Sequence, residues 1–471
     1  MERLKTEKNS EKLYRDLKEK ILTLKPGTKI KSLRVLEAEY NLNLNIVLKI
    51  IKKLKEEGYI YSEKGKGYFI KERSNFSIYK NEKEEITNHQ LMREVIKKEG
   101  VINFNAFIPK QDKNFTEQYK KVLRKVLRTT DQDIFLAHEI QGLSSLIELI
   151  GNLIERGNSL FIKKENIIVT SNLSTAYMMI SKVFSKARNK PIIAMTNPSF
   201  PKNYNLLKFN FNIKFFDLQK NGWNLTLFEE FLKKERIAFV DITTTYHIPT
   251  GITWSENKKL KLLKLAEKYD FYILENDSYS DFFYYRRKNA IKSLERAGKE
   301  RVIYLKSHSG YLSPEFELAL MIVPPTLREK IIYAKYYIDE NTPIIKQRAL
   351  EELLKTGVYE NYFKKKKKEL KTKYEKILEF LSENKEFQLS RKPDGGFFIW
   401  LTLPKYIDIN QYYKRCEQEG VLLILGSSFY FQGQTKNEIG INFFAPDLDK
   451  VIEGLNIMKK IFEELKIIID N

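Results

Sequence analysis

The chain is poor in the residues that build disulfides and metal centres. A single cysteine, Cys416, in 471 residues excludes an internal disulfide and any cysteine-cluster metal site. Four histidines leave little material for a histidine-based zinc site, so no metal is expected. No apolar run approaches the ~20 residues of a membrane helix, which excludes a membrane partner of that kind. The opening "MERLKTEKNSEK" is charged and has no apolar signal core, which points to a cytoplasmic protein. What the chain has in excess is positive charge: 83 Lys and Arg against 61 Asp and Glu, a formal net charge of +22. Such a balance suits a polyanion, because bound phosphates release counterions. Charge alone does not mark a site. The run Lys364 to Lys368 lies in "YFKKKKKELKTKYEKILEFL", where apolar residues recur at helical spacing, and it is expected on a solvated helix face. A hydrophobic share of 42% suffices for packed cores, and the length calls for more than one domain.

The first seventy residues have their own pattern. "NSEKLYRDLKEKILTL" carries Leu13, Leu17, Ile21 and Leu24 at helical spacing, and "KPG" ends it. "SLRVLEAEYNL" predicts a second short helix. "NLNIVLKIIKKLKEEG" predicts a third, with Asn43 as N-cap and Gly58 as stop. "YIYSEKGKGYFIKE" predicts two strands around a glycine-rich tip. Three helices and a hairpin form the winged helix-turn-helix plan, in which the third helix enters the major groove and the wing touches the backbone. Basic side chains outnumber acidic ones here by 19 to 11 over residues 1–73.

This segment resembles the GntR family of DNA-binding domains. "LYRDLKEKI", "GTKIKSLRVLEAEY", "NLNIVLKIIKKLKEEGYI" and "GKGYFI" follow the family's order of motifs. Arg34 matches its DNA-contacting arginine, Lys49 stands on the recognition helix, and Lys66 and Gly67 lie in the wing. The resemblance implies DNA contacts from Lys31, Ser32, Arg34, Asn43, Asn45, Lys49, Lys66 and Gly67. The family's proline is Lys31, and its Ser-Arg pair is Asn43-Leu44. Leu44 cannot make the phosphate or guanine contact of an arginine.

Beyond a polar linker, "NIIVTS", "PIIAMT", "IKFFDL", "RIAFVDI", "FYILEND", "RVIYLKS" and "LALMIVP" alternate with helical segments. This predicts a mainly parallel sheet covered by helices. "GGFFIWLTLP", "GVLLIL" and "EIGINFFAP" then predict a smaller α/β domain. The order "ENIIVTSNLSTAYMMI", "TNPSFP", "YHIPTGITWS", "ILENDSYSDFFY" and "PDGGFFIW" resembles the fold type I, pyridoxal-phosphate-dependent aminotransferases. Joined to the winged helix, it resembles the MocR subfamily of GntR regulators. The expected division is residues 1–73 as winged helix, 74–101 as linker, 102–345 as large domain and 346–471 as small domain. The resemblance also implies a homodimer, with room for an unknown small-molecule effector.

Pyridoxal 5'-phosphate makes fixed demands: a lysine for the Schiff base, a carboxylate for the ring nitrogen, and an arginine for the phosphate. A second arginine clamps the substrate carboxylate. Laid on "YLKSHSGYLSPEFELA", the family's lysine falls on Gly310 and its phosphate arginine on Glu317. Ser307 and Ser309 hold the register. The ring-nitrogen aspartate falls on Asn276, the substrate arginine on Gly440, and the phosphate-cradling Gly-Ser on Asn172-Leu173, where backbone amides are expected to remain. Tyr279 retains the tyrosine facing the cofactor's phenolic oxygen. Lys306 is ~13 Å from the lysine position in extended chain, out of reach. His308 and His247 have no evident carboxylate partner, and Asp277 must face away from Asn276. The expectation is a transcription regulator whose aminotransferase-like domain is non-catalytic and holds no covalent cofactor. Two alternatives stay open: a regulator or aminotransferase that keeps the cofactor by an atypical site, and a scaffold that has lost DNA binding as well.

Overall fold

The computed structural model describes residues 10, 13–14, 16–17, 28–56, 59–63, 67–70, 100–106, 112–129, 139–158, 162–186, 189–284, 299–307, 312, 316–431 and 436–470. The chain forms two compact units, Met1–Thr87 and Asn88–Asn471. Lys66, Ser309, Gly310, His308 and Gly58 lie outside the described residues, as does most of the expected linker.

In the first unit, α1 (Leu33–Tyr40) and α2 (Leu44–Glu56) are joined by a three-residue turn. Asn41 ends α1 in the left-handed conformation at φ 49°, which asparagine tolerates. The Asn43 side chain accepts from the Ile46 N–H at 3.0 Å, so it caps α2 as expected. β1 (Ile60–Glu63) and β2 (Gly67–Ile70) form the antiparallel wing. Ile30 N–H donates to Tyr68 and Ile70 N–H to Thr28, which ties the wing back to the segment before α1. Gly67 sits at φ +111°, where side chains are strained, at the wing's tip. The core closes around Leu13, Leu17, Leu36, Leu42, Val47, Ile51, Leu54, Ile60 and Ile70.

The second unit is built on a seven-stranded sheet of order β4-β10-β9-β8-β7-β5-β6. The strands are β4 (Ile167–Thr170), β5 (Ile192–Asn197), β6 (Asn212–Asp217), β7 (Ile237–Ile242), β8 (Tyr272–Asn276), β9 (Val302–Ser307) and β10 (Ala319–Ile322). β5 to β9 pair in parallel, and β10 runs antiparallel to both β4 and β9. The parallel strands β7, β8 and β9 are almost wholly buried, which explains their continuous apolar runs. A four-stranded antiparallel sheet of order β11-β12-β15-β14 follows, with β11 (Gln388–Leu389), β12 (Phe398–Thr402), β14 (Ile424–Leu425) and β15 (Glu438–Asn442). The "GVLLIL" run is not one strand. β13 (Val421–Leu422) pairs instead with β3 (Ile102–Asn103), in parallel, across most of the chain length. Among the described residues no helix is long and apolar enough to cross a membrane.

Candidate functional site

In an open parallel sheet, ligands bind beyond the carboxyl ends of the strands. Asn276 and Ser307 end β8 and β9 at that edge, and Thr196 and Asp241 stand one residue before the ends of β5 and β7. A cavity of about 60 Å³ opens there, lined by Leu173, Thr196, Asn203, Asp241, His247, Ile248, Asn276 and Tyr279, with Phe200 at one wall. It has room for a few waters, whereas a cavity that admits one benzene ring measures roughly 150 Å³.

Asn276 is buried. Its Oδ1 accepts from Ser278 N–H at 3.2 Å and Ser278 Oγ at 2.6 Å. Its side chain also hydrogen-bonds the Tyr177 phenol. Asp277, one residue on, faces the other way: Tyr304 Oη donates to it at 3.0 Å and Ser280 Oγ at 2.8 Å. Burial pushes the Asp277 carboxyl up to about 7, with the Lys306 charge opposing. Lys306 itself pairs with Asp281 at 2.6 Å, on the side away from the cavity where Asp277 lies. Ser307 is buried, its N–H donating to Ser278 Oγ at 3.2 Å. Tyr279 borders the cavity, and burial pushes its phenol up to about 12.

Four polar residues of the cavity region, Tyr177, Thr196, Asn203 and Asp241, were not singled out in the sequence. Tyr177 donates to Asp241 Oδ1 at 2.7 Å, and Asn203 Nδ2 donates to the Tyr177 oxygen at 2.8 Å. Burial raises Asp241 to about 7. The available signal was an acid closing an otherwise apolar strand, "RIAFVDI", since a buried carboxylate needs partners. The Thr196 hydroxyl is buried on the cavity wall with no hydrogen-bond partner. His247 faces Thr250 Oγ1 through Nδ1 at 3.0 Å, and burial lowers it to about 3, so the ring is neutral.

The segment expected from the resemblance to cradle a phosphate opens α3 (Leu173–Phe184), and it is closed on itself. Asn172 Oδ1 accepts from Thr175 N–H at 2.9 Å, and Thr175 Oγ1 accepts from Asn172 N–H at 3.1 Å. Of the Asn172-Leu173 pair expected to offer backbone amides, the Asn172 N–H is thus engaged by the Thr175 hydroxyl within the turn. Asp339 fixes the preceding turn, accepting from Ser171 N–H at 2.9 Å, Thr170 Oγ1 at 2.8 Å and the Ser171 hydroxyl. Glu317 stands half-buried just before β10. Gly440 pairs across β15 with Trp400, whose ring would lie 2.6 Å from an added Cβ. Among the described residues, none lining the cavity is a lysine or arginine, and no cluster of three metal-ligating side chains occurs. The described residues thus present neutral groups and one buried acid where a phosphate ester needs cations, and they do not fit pyridoxal phosphate.

In the first unit, Lys31, Ser32, Arg34, Asn43, Asn45 and Lys49 are all exposed. Lys31 is held by Glu39 at 2.8 Å, while the Ser32 hydroxyl makes no capping bond.

The sequence profile of the family described as aminotransferase class I and II matches residues 99–453. The 2-aminoadipate transaminase of Thermus thermophilus is 24% identical over 373 residues, 77% of this chain and 91% of that protein. The HTH-type transcriptional regulator NorG of Staphylococcus aureus is 25% identical over 434 residues, 88% of this chain and 95% of that protein. That share exceeds what Asn88–Asn471 contains, so the likeness to the regulator extends into the first unit. The solved structure of the multiple substrate aminotransferase from Thermococcus profundus superposes with a TM-score of 0.72, at 23% identity, over 84% of this chain and 98% of that one.

Proposed function

The chain belongs to the aminotransferase class I and II family, and from that premise we propose that it is a DNA-binding transcription regulator of the MocR plan whose aminotransferase-like unit is non-catalytic. The observation that carries this reading is the joining of an exposed helix-turn-helix face (Arg34, Asn45, Lys49) to a family pocket whose lining, among the described residues, holds no lysine or arginine. Gly310 replaces the Schiff-base lysine, Asn276 the ring-nitrogen carboxylate, Glu317 the phosphate arginine and Gly440 the substrate arginine. A neutral amide at Asn276 cannot hold a ring nitrogen protonated. We assign residues 1–73 to DNA binding, 74–101 to the linker, 102–345 to the large domain and 346–471 to the small domain. The active form is a homodimer, and two winged helices then read paired half-sites. The second unit serves dimerisation and the sensing of a small effector.

Titration of the purified chain with pyridoxal phosphate, followed by absorbance, tests the pocket. The reading expects the spectrum of free aldehyde and no lysine labelled after borohydride reduction. A saturable aldimine band, trapped on one lysine, establishes instead the reading that the transaminase relatives favour, a cofactor held by an atypical site.

A further inference from the structure

The exposed face of α2 carries a feature that phosphate binding does not use. Leu44 and Leu48 stand one turn apart and are 39% and 37% exposed, while Val47, Ile50, Ile51 and Leu54 of the same helix are buried. The unit's core therefore closes without them. Asn45 and Lys49 lie beside the two leucines, also one turn apart and exposed, and Lys52 continues the face. The helix thus presents an apolar edge next to an edge of amide and ammonium groups.

A major-groove floor offers donors and acceptors at every base pair, but one apolar group only, the C5 methyl of thymine. The adenine across the pair offers N6 and N7, which an asparagine amide matches with two hydrogen bonds. An A·T pair therefore presents methyl and adenine edge side by side, as α2 presents leucine and asparagine. A G·C pair would leave polar base atoms desolvated against leucine with no partner. The flanking cations Lys49, Lys52 and Arg34 suit a polyanion rather than an apolar protein groove.

Resting on the regulator reading above, we propose that α2 reads A·T pairs in the major groove, with Leu44 and Leu48 packed on thymine methyls and Asn45 bonded to adenine. Leu44, which stands where the family has arginine, and Leu48 one turn on are then specificity determinants, shifting recognition from guanine to thymine.

The test starts from duplexes that the full chain selects from a random-sequence pool. The best binder is remade with deoxyuridine for thymidine, which deletes the methyls and leaves every hydrogen-bonding group. Fluorescence anisotropy at one salt concentration then compares the two. The proposal expects A·T-rich selection and about fourfold weaker binding for each buried methyl removed, the equivalent of about 0.8 kcal/mol. Leu48→Ala should weaken binding to the thymidine duplex and shrink the difference between the two. Lys49→Gln should weaken both alike and preserve it. Equal affinity of the unaltered chain for both duplexes overturns methyl reading and leaves the regulator reading standing. Failure to enrich any sequence, with binding that tracks salt alone, overturns both.

Discussion

At Gly440 an added Cβ would stand 2.6 Å from the Trp400 ring and 3.1 Å from the Ile424 side chain. Any side chain placed here, the arginine expected from the family included, means overpacking a buried sheet. Gly440→Arg should lower stability by about 1–3 kcal/mol, measured by denaturant unfolding, and should not create amino-acid binding. An unchanged midpoint would show that Trp400 moves freely. Asp241 carries a different consequence. Its folded pKa of about 7 lies above the ordinary 3.8, because burial disfavours the charge. The native state keeps a proton that the unfolded chain has already lost, so this group's contribution is full below about pH 4 and is lost as pH rises through 7. Each pH unit in that window costs about 1.4 kcal/mol. Asp241→Asn should therefore flatten the fall in melting temperature between pH 5 and 7.5. Asp277 is raised in the same way and remains, so the slope should shrink rather than vanish. An unaltered slope would mean that Asp241 is ionised in the native state.

The turn before α3 joins distant elements. α4 (Pro325–Ile338) ends beside Asp339, and Lys335 Nζ contacts that carboxylate at 3.3 Å and Thr342 Oγ1 at 2.6 Å. Lys335 is fully buried. Burial lowers its pKa, with Asp339 opposing. Asp339 stays below its ordinary value because the Ser171 hydroxyl, Lys335 and the Ser171 N–H together outweigh its burial. Asp339→Ala leaves the buried Lys335 without its counter-charge and should cost about 3–5 kcal/mol. Asn172→Ala, which removes one cap, should cost about 1 kcal/mol, and calorimetry separates the two. A smaller loss for Asp339→Ala than for Asn172→Ala would remove the clamp from the account of this turn. None of this was legible in the sequence, since Asp339 and Ser171 are 168 residues apart. The inner strands β7, β8 and β9 were legible, because burial on both faces leaves apolar runs with clear ends. The Asn43 cap was legible too, since the preference is local. The split of "GVLLIL" was not: Leu422 and Ile424 choose partners from opposite ends of the chain.

Across the whole molecule, the proposed DNA binding turns on which of the many cations are open to a polyanion. The formal net charge is +22, of which +8 lies in residues 1–73. The most basic run elsewhere is compensated in part. It lies on α5 (Val358–Glu383), where Lys365 meets Asp112 at 2.9 Å and Lys366 meets Glu369 at 2.9 Å. Lys373, further along, is buried and donates to the carbonyls of Phe443 and Phe444. Bulk charge therefore overstates the surface open to a polyanion, and the salt dependence of binding measures that surface directly. Each phosphate contact contributes about −0.9 to the slope of log K against log salt. If Arg34 and Lys49 each meet a phosphate, replacing both with glutamine should make the slope shallower by about 2. Replacing the exposed Lys364 and Lys368 of α5 with glutamine should leave it unchanged. An equal loss from both pairs would mean that the chain holds DNA by its overall charge, and the winged helix would then have no privileged part in recognition.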